Sequence, residues 1–325
     1  MRHAAPDVGM KPRTLSSAGS RSPEVGGSPS LMRAAWELAF HRMTRTEKVA
    51  ANGMRPRASL RASGLRISRR RLGRYLRATR GYTQRGGVAA QLLPPTVASL
   101  WEAVYLLDLI RIADLPFPAG IIHLGSERIL VRPLETHDEA RLDLAILKAW
   151  SWRGGTRLQV GSTTCNSAGH LCAEGEVHLL LHGVELDLPE YVRGAEGGRD
   201  ERPVDRWTEL ARWRMGAGTG RRYASVSGDI NPIHLSPLTA RWFGFSRAVA
   251  HGACIEAMIA HELISGRAGG DVAALRRLLI RFTSPLLLPA DVVLQVHDRA
   301  GDTGANFQLI AAERPETVYA AGEWV

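Results

Sequence analysis

An aspartate and a histidine five residues apart, Asp229 and His234, bracket a backbone that cannot run on as a helix. Between them Asn231 precedes Pro232, which pushes Asn231 to extended or turn geometry, and Asn-Pro favours turn initiation. A turn there can aim a carboxylate and an imidazole at one point. Each is a competent general acid or base, and a modest pKa shift brings it into range near neutral pH. Seventeen residues on come His251 and Gly252, followed by the apolar run 253–264. If that run is helical, the Gly252 amide lies at its N-terminus, where unpaired N–H groups and the macrodipole favour a developing negative charge. Taken singly these residues lean structural: Ser-Gly-Asp is a common turn, and a histidine at a helix start more often braces a loop than reacts.

The full ordered series carries more weight. Ser227-Gly228-Asp229-Ile230-Asn231-Pro232-Ile233-His234, then Ala240, Gly244-Phe245 and Val249-Ala250-His251-Gly252, resembles the signature of the MaoC-like, (R)-specific enoyl-thioester hydratase/dehydratase family. The resemblance implies an α+β double hotdog, in which two antiparallel sheets each wrap a long central helix. It implies reversible hydration of trans-2-enoyl thioesters, or dehydration of (R)-3-hydroxyacyl thioesters, carried on coenzyme A or an acyl-carrier protein. By the same resemblance Asp229 and His234 are the catalytic pair and Gly252 is the oxyanion donor. Asn231, Ser227, Gly228 and His251 surround the substrate, with Asn231 orienting the turn or the water and His251 bracing the loop. No cofactor and no metal is implied. Some members carry a hydroxyl residue about two turns into the central helix; here Met258-Ile259-Ala260-His261 stands there, so that contact is absent or shifted.

The elements that must position these residues follow from the rest of the chain. At 325 residues the length suggests two domains. No apolar run approaches the roughly 20 residues of a membrane span. Cys165, Cys172 and Cys254 are too few and too oddly spaced for a disulfide framework or zinc site, which fits a reducing cytoplasm, and Cys254 should pack within the central helix. The net charge of +10 belongs to one end: residues 1–90 hold 19 of the 42 Lys/Arg and 4 of the 32 Asp/Glu. Ten arginines fall between Arg55 and Arg80, with no acidic residue between Glu47 and Glu102. Such a run suits phosphates or an acidic partner, or is simply a solvated arm. Nucleic acid is the weaker reading, because Tyr75 is the only aromatic there.

Residues 1–66 read as a basic, largely disordered arm, with a short amphipathic helix around Trp36 and Phe40. Residues 67–184 read as a first hotdog, 185–202 as a polar Gly-rich linker and 203–325 as a second hotdog that carries the motif. In the first unit a buried helix over 97–110 precedes strands at 120–124, 128–134, 142–152, 156–164 and 176–181. In the second, Ser236-Pro237 caps and opens a short helix, 252–264 is the central helix, and strands follow at 275–282, 291–298, 305–313 and 318–325. Pro133 set against Pro285 gives an offset of 152, and Tyr75–Gly81 can be laid over Tyr223–Asp229. The weak repeat suggests two copies of one unit, a pseudo-dimer that stands alone or pairs further. Gly81 would occupy the carboxylate position, so only the second copy is equipped. His123, His178 and His182 sit in strand-like stretches with no acidic residue at metal-ligand spacing in the sequence and read as structural. The competing functions are a non-catalytic acyl-thioester-binding or interaction module and, less well supported by the motif, a hotdog thioesterase.

Overall fold

The computed structural model describes residues 47–49, 58–81, 92–115, 120–152, 154–186, 206–299 and 304–325. The expectations for residues 1–30, for a helix around Trp36 and Phe40, and for most of the 185–202 linker lie outside them. The first half contains strands β1 (Glu47–Val49) and β2 (Ser59–Leu65), helix α1 (Arg69–Ala78) and a 3-10 turn, Pro95–Ala98, leading into helix α2 (Ser99–Ile112). Strands β3 (Gly120–Leu130), β4 (Ala140–Trp152), β5 (Gly155–Cys165), β6 (Leu171–His182) and β7 (Val184–Leu186) complete it. The second half contains β8 (Thr208–Met215), α3 (Thr219–Ser227), a 3-10 turn at Pro232–His234, α4 (Pro237–Arg241) and α5 (Gly252–Arg267). It ends with β9 (Arg277–Phe282), β10 (Ala290–Asp298), β11 (Ala305–Ala311) and β12 (Val318–Trp324).

Ten strands form one sheet in the order β2-β4-β5-β6-β3-β9-β12-β11-β10-β8. Counted among the strands of this sheet alone, each half runs first, third, fourth, fifth, second, and the two second strands, β3 and β9, pair antiparallel at the middle. This is a double hotdog, with α2 and α5 as its two long helices. The repeat extends to local bonds. Thr79 Oγ1 donates to the Tyr75 carbonyl at 2.9 Å, and Ser227 Oγ donates to the Tyr223 carbonyl at 3.0 Å. The next residues, Arg80 at φ 56° and Gly228 at φ 82°, both end their helices in the left-handed region. The overlay that puts Gly81 opposite Asp229 therefore holds in three dimensions.

The two helices differ in burial. Helix α5 is buried from Cys254 to His261 without a break, as an apolar helix surrounded by packing should be. Helix α2 is buried at Ser99 to Glu102 and again at Leu109 and Ile110, while Ala103 to Asp108 between them are only partly covered. That gap opens onto a cavity described below.

Several boundaries differ from the sequence expectation. Strand β2 lies inside the stretch assigned to the arm, so the folded unit begins before residue 67; β1 also falls there and pairs parallel with β7. Strands β2 and β8 are the two sheet edges, and their outward arginines hide the apolar alternation. Arg61 on β2 sits directly opposite Asp143 on β4 and forms an ion pair at 2.5 Å. The expected strands 120–124 and 128–134 are one strand, β3, carried through Gly125 with a bulge between His123 and Gly125. A Cβ at Gly125 would stand 2.6 Å from the Ile280 carbonyl oxygen, so the close approach of β9 needs glycine.

The arginine run is not free to act as an arm throughout. Arg71 donates to the Val226 carbonyl through Nε (3.1 Å) and Nη2 (2.9 Å), and Arg74 Nη2 reaches the Ser225 carbonyl at 2.7 Å. Both cap the C-terminal turn of α3, where cations and donors are favoured. Arg66 pairs with Glu139, and Arg80 donates to the Arg214 carbonyl at 2.8 Å. Burial lowers the Arg71 guanidinium from its ordinary value. We expect Arg71→Met to lower the unfolding free energy by about 1–3 kcal/mol, because the buried carbonyl it caps loses its donor. Urea titration checks this, and an unchanged midpoint would count against it.

Candidate active site

Helix α3 delivers the chain to the site and stops abruptly. Gly228 closes it with an N–H bond to the Ala224 carbonyl at 2.9 Å, in the left-handed conformation glycine takes without strain. Ser227 Oγ accepts the Asp229 N–H at 3.1 Å, and Asp229 Oδ1 accepts the Asn231 N–H at 3.1 Å. This Asx-type turn is followed by Asn231 Oδ1 accepting from Ile233 N–H, with Pro232 opening the 3-10 turn that ends at His234. Asn231 Nδ2 donates across the molecule to the Ile121 carbonyl of β3 at 2.9 Å. Gly220 lets α3 abut this turn: a Cβ there would lie 2.0 Å from the His234 carbonyl oxygen. That close approach accounts for a glycine in the stretch 216–220.

His234 and His251 stack with ring centroids 3.7 Å apart. His234 Nδ1 lies 2.8 Å from the Val249 carbonyl, which can only accept, so the proton is assigned to Nδ1 and Nε2 carries the lone pair. By the same argument His251 Nε2 donates to the Asp229 carbonyl at 3.0 Å. Burial lowers His234 below its ordinary value, with Asp229 opposing. Burial, together with the His234 ring, lowers His251 to about 3. Burial alone would raise the Asp229 carboxyl, but His251, His234 and the Asn231 amide outweigh it and hold the group below its ordinary value. Near neutral pH the arrangement is thus one carboxylate beside two neutral imidazoles. The Asp229 side chain remains 36 % exposed, through the cavity.

His251 is the N-cap of α5, and the Cys254 and Ile255 N–H groups turn back to its carbonyl at 3.1 Å. The Gly252 amide is left as a helix N-terminal donor. A Cβ on Gly252 would stand 2.5 Å from His123 Nδ1, so a larger residue would push into a strand of the other half.

Asp229, Asn231, His234 and Gly252 line one cavity of about 460 Å³. It runs into the first half between α2 (Ala103, Leu106) and strands β3 to β6 (Leu124, Leu144, Val160, Leu179), while Phe243 and Phe245 flank its other side. The size and mostly apolar lining are those of a small-molecule site. Gly228 also lines it. Ser227 and His251 do not: Ser227 is fully buried behind the turn, and His251 braces the loop from below. His123, read above as structural, is part of the cavity wall, with its Nε2 at 3.1 Å from the Gly125 carbonyl. Nothing in the sequence marks it, because its contact with Gly252 exists only through the pairing of the halves. His261, where a hydroxyl residue was looked for, turns away to Thr79 Oγ1 at 3.0 Å.

One donor atom each from Asp229, His234 and His251 lies within 4.8 Å of the other two, close enough to hold an ion geometrically. His234 Nδ1 and His251 Nε2 are already spent on backbone carbonyls. His251 Nδ1 is buried without a hydrogen-bond partner among the described residues, while the Asp229 carboxylate and His234 Nε2 face the cavity as an acid–base pair.

Known proteins resemble this chain in sequence and in fold. The MaoC like domain family model matches residues 201–318. The chain is 31 % identical over 209 residues to 3-hydroxyacyl-thioester dehydratase X of Mycobacterium tuberculosis, covering 63 % of this chain and 69 % of that protein. The crystal structure of HtdX of Mycobacterium tuberculosis superposes with a TM-score of 0.64 at 24 % identity, covering 82 % of this chain and 98 % of that one. A Mycobacterium tuberculosis protein described as having a double hotdog fold gives a TM-score of 0.54 at 12 % identity, over 86 % and 99 % of the two chains.

The burial of neutral histidines has a consequence for stability. Unfolded, His251 and His261 titrate near 6.5; folded, burial holds them near 3 and 4. The unfolded chain binds more protons between those values, so stability is full above about pH 6.5 and falls as the pH drops below it. The urea midpoint should decrease from pH 7 to pH 5. His251→Asn, which keeps an N–H for the Asp229 carbonyl, should flatten that slope.

Proposed function

The chain belongs to the MaoC-like dehydratase family of hydro-lyases, and on that premise we propose that it hydrates trans-2-enoyl thioesters, or in reverse dehydrates (R)-3-hydroxyacyl thioesters. The acyl group is carried on coenzyme A or an acyl-carrier protein, and the work is done in the cytoplasm. The observation that carries the reading is the convergence of an ionised Asp229, a free His234 Nε2 and the Gly252 amide at one end of an apolar cavity.

In the hydration direction the thioester oxygen faces the Gly252 N–H, and the acyl chain extends into the first half. A water held between Asp229 and His234 is aimed at C3. As its oxygen bonds to C3, His234 Nε2 takes a proton, the imidazolium is stabilised by the adjacent carboxylate, and the C2=C3 pair moves toward the carbonyl. The negative charge that builds on the thioester oxygen meets the amide and dipole of α5. The Asp229–His234 pair then returns the proton to C2, so the protein ends unchanged. Asn231 holds the turn in place through Ile121, and His251 fixes the ring plane of His234.

The central helix of the half that keeps the motif is buried without a break from Cys254 to His261, and the half that lacks the motif is open along the middle of α2. This division favours an acyl-binding role for the first half. A non-catalytic binding module would keep the cavity yet have no use for the charged carboxylate and the unprotonated Nε2 at its mouth. Both Asp229→Asn and His234→Ala are expected to slow loss of the enoyl-thioester absorbance by about 10²–10⁴-fold with folding preserved. Gly252→Ala should cost about 10²–10³-fold by displacing the oxyanion donor. Prior dialysis against a chelator should leave the rate unchanged. No loss of absorbance with the wild type on any enoyl thioester would sink the hydratase reading in favour of the binding module, and wild-type turnover matched by Asp229→Asn would remove Asp229 from the catalytic pair.

A further inference from the structure

Helix α5 begins without a side-chain cap, although its first amide is the one placed to meet a negative oxygen. His251 at the N-cap makes no side-chain bond to the helix. A hold on the first turn lies just inside it. Glu256 comes four residues after Gly252, about 6 Å along the axis, and is 1 % exposed. Its Oε1 accepts from Arg128 Nε, while Oε2 has no hydrogen-bond partner among the described residues. Arg128 on β3 is thus the one hydrogen-bond anchor of that side chain among the described residues.

Arg128 is itself held in place. Its Nη1 and Nη2 donate to the two Glu102 oxygens on α2 at 3.0 and 2.8 Å, and Ser162 Oγ donates to Glu102 Oε1 at 2.8 Å. This two-pronged bond fixes the guanidinium plane, and with it the direction in which Nε points. Burial alone would lower the guanidinium, but Glu102 and Glu256 outweigh it and raise the group well above its ordinary value. It stays charged.

The same strand touches the helix start a second time. His123 stands over Gly252, where a Cβ would come 2.5 Å from Nδ1. The ring is braced by the Gly125 carbonyl, 3.1 Å from Nε2, and by Phe282 edge-on at 5.0 Å between centroids. Five residues apart on a regular strand, His123 and Arg128 would point to opposite faces. The bulge between His123 and Gly125 instead puts both on the cavity wall. Strand β3 therefore grips α5 at two levels. Contact with His123 limits how close the helix start can come, and the bond to Glu256 limits how far it can withdraw or turn. The guanidinium also offsets a carboxylate standing one turn behind the amide, which would otherwise oppose a negative charge developing in front of it.

We propose that Arg128 is a positioning residue for the reaction: through Glu256 it sets the depth and tilt of the first turn of α5, and so the aim of the Gly252 N–H at the thioester oxygen. The proposal rests on the hydratase reading, and its test reports on the two separately.

Hydration of trans-2-butenoyl-CoA is measured for the wild type, Glu256→Ala, Glu256→Gln, Arg128→Gln and the Arg128→Gln/Glu256→Ala double variant, with rates scaled to the folded fraction. In parallel the Gly252 amide resonance is followed in protein labelled with nitrogen-15 glycine, where Gly252→Ala identifies it. Misplacing a reacting contact by about 1 Å costs on the order of 10²-fold, so Glu256→Ala and Arg128→Gln should each lower kcat by about 10–10²-fold, with KM changed by less than about threefold. Glu256→Gln keeps an acceptor for Arg128 Nε, and its loss should be smaller by about fivefold or more. The double variant should be no worse than Arg128→Gln alone, as for two residues acting as one device. The Gly252 resonance should move in each variant that loses kcat. If Arg128→Gln fails to fold, the two Glu256 variants still decide. Losses that multiply in the double variant, equal kcat for Glu256→Ala and Glu256→Gln, or an unmoved Gly252 resonance overturn the proposal. No turnover by the wild type on any enoyl thioester overturns the hydratase reading instead, and the resonance then still shows whether Arg128 sets the amide.

Discussion

Strand β3 pairs with β9 from Gly125–Arg281 to Ile129–Arg277, and each contact that joins the motif to its cavity depends on that register. The motif itself lies wholly in the second half. Its turn is held by a bond from Asn231 to Ile121, 110 positions away in sequence, and its helix start is walled by His123. Both partners belong to β3. A one-residue slip at the seam would turn His123 and Arg128 to the outer face of the sheet, because strand side chains alternate with period two. The bulge after His123 and the glycine at 125 fix the register where the two halves come closest. The geometry around Asp229, His234 and Gly252 is therefore a property of the fused sheet rather than of the motif loop.

The same seam carries the buried ion cluster. Arg128 reaches Glu102 on α2 and Glu256 on α5, so one side chain ties together the central helices of the two copies. Such a buried network is weak support for stability, since desolvation offsets much of the attraction, but it fixes orientation because breaking one partner strands a charge. The two helices then diverge in their surroundings. Around α5, Ala257, Met258, Ile259 and Ala260 are at most 2 % exposed. Around α2, the space between helix and sheet is open. One topology thus serves twice, once as a rigid platform for the charged groups and once as a container.

What was legible in the sequence was what is local. The turn, its proline, the Ser236 cap and the start of α5 depend on neighbours within a few residues, and their residue types announce them. The repeat was legible too, because Tyr75–Gly81 and Tyr223–Asp229 keep the same helix-ending bonds. Edge strands β2 and β8 were not, since charged outward residues dilute the alternation that betrays a strand. The arginine run misled for a related reason: a dense cationic stretch reads as solvated, whereas Arg71 and Arg74 are spent on the carbonyl end of α3. Ser227 was legible as part of the site but not in its place, because a hydroxyl that caps a helix end and one that faces a ligand look alike in sequence. His123 could not be found at all without the seam.

The contrast between the halves also bears on how one copy came to lack the chemistry. The position opposite Asp229 is Gly81, and restoring an aspartate there would not restore a site. A Cβ at Gly81 would stand 2.7 Å from both His261 Nε2 and Leu76 Cδ2, so the space is already filled. His261, neutral and buried, is held by Thr79 against Tyr75. The helix start opposite His251-Gly252 begins at Ser99 after a 3-10 turn, with Ser99 Oγ bonded to the Thr96 carbonyl at 2.7 Å. The first copy has thus lost the carboxylate, the histidine and the space for a water together, and its interior is used as a wall for the other copy's cavity. Reviving it would require removing His261 from α5, which packs against the second copy's own core. The asymmetry is locked in by packing.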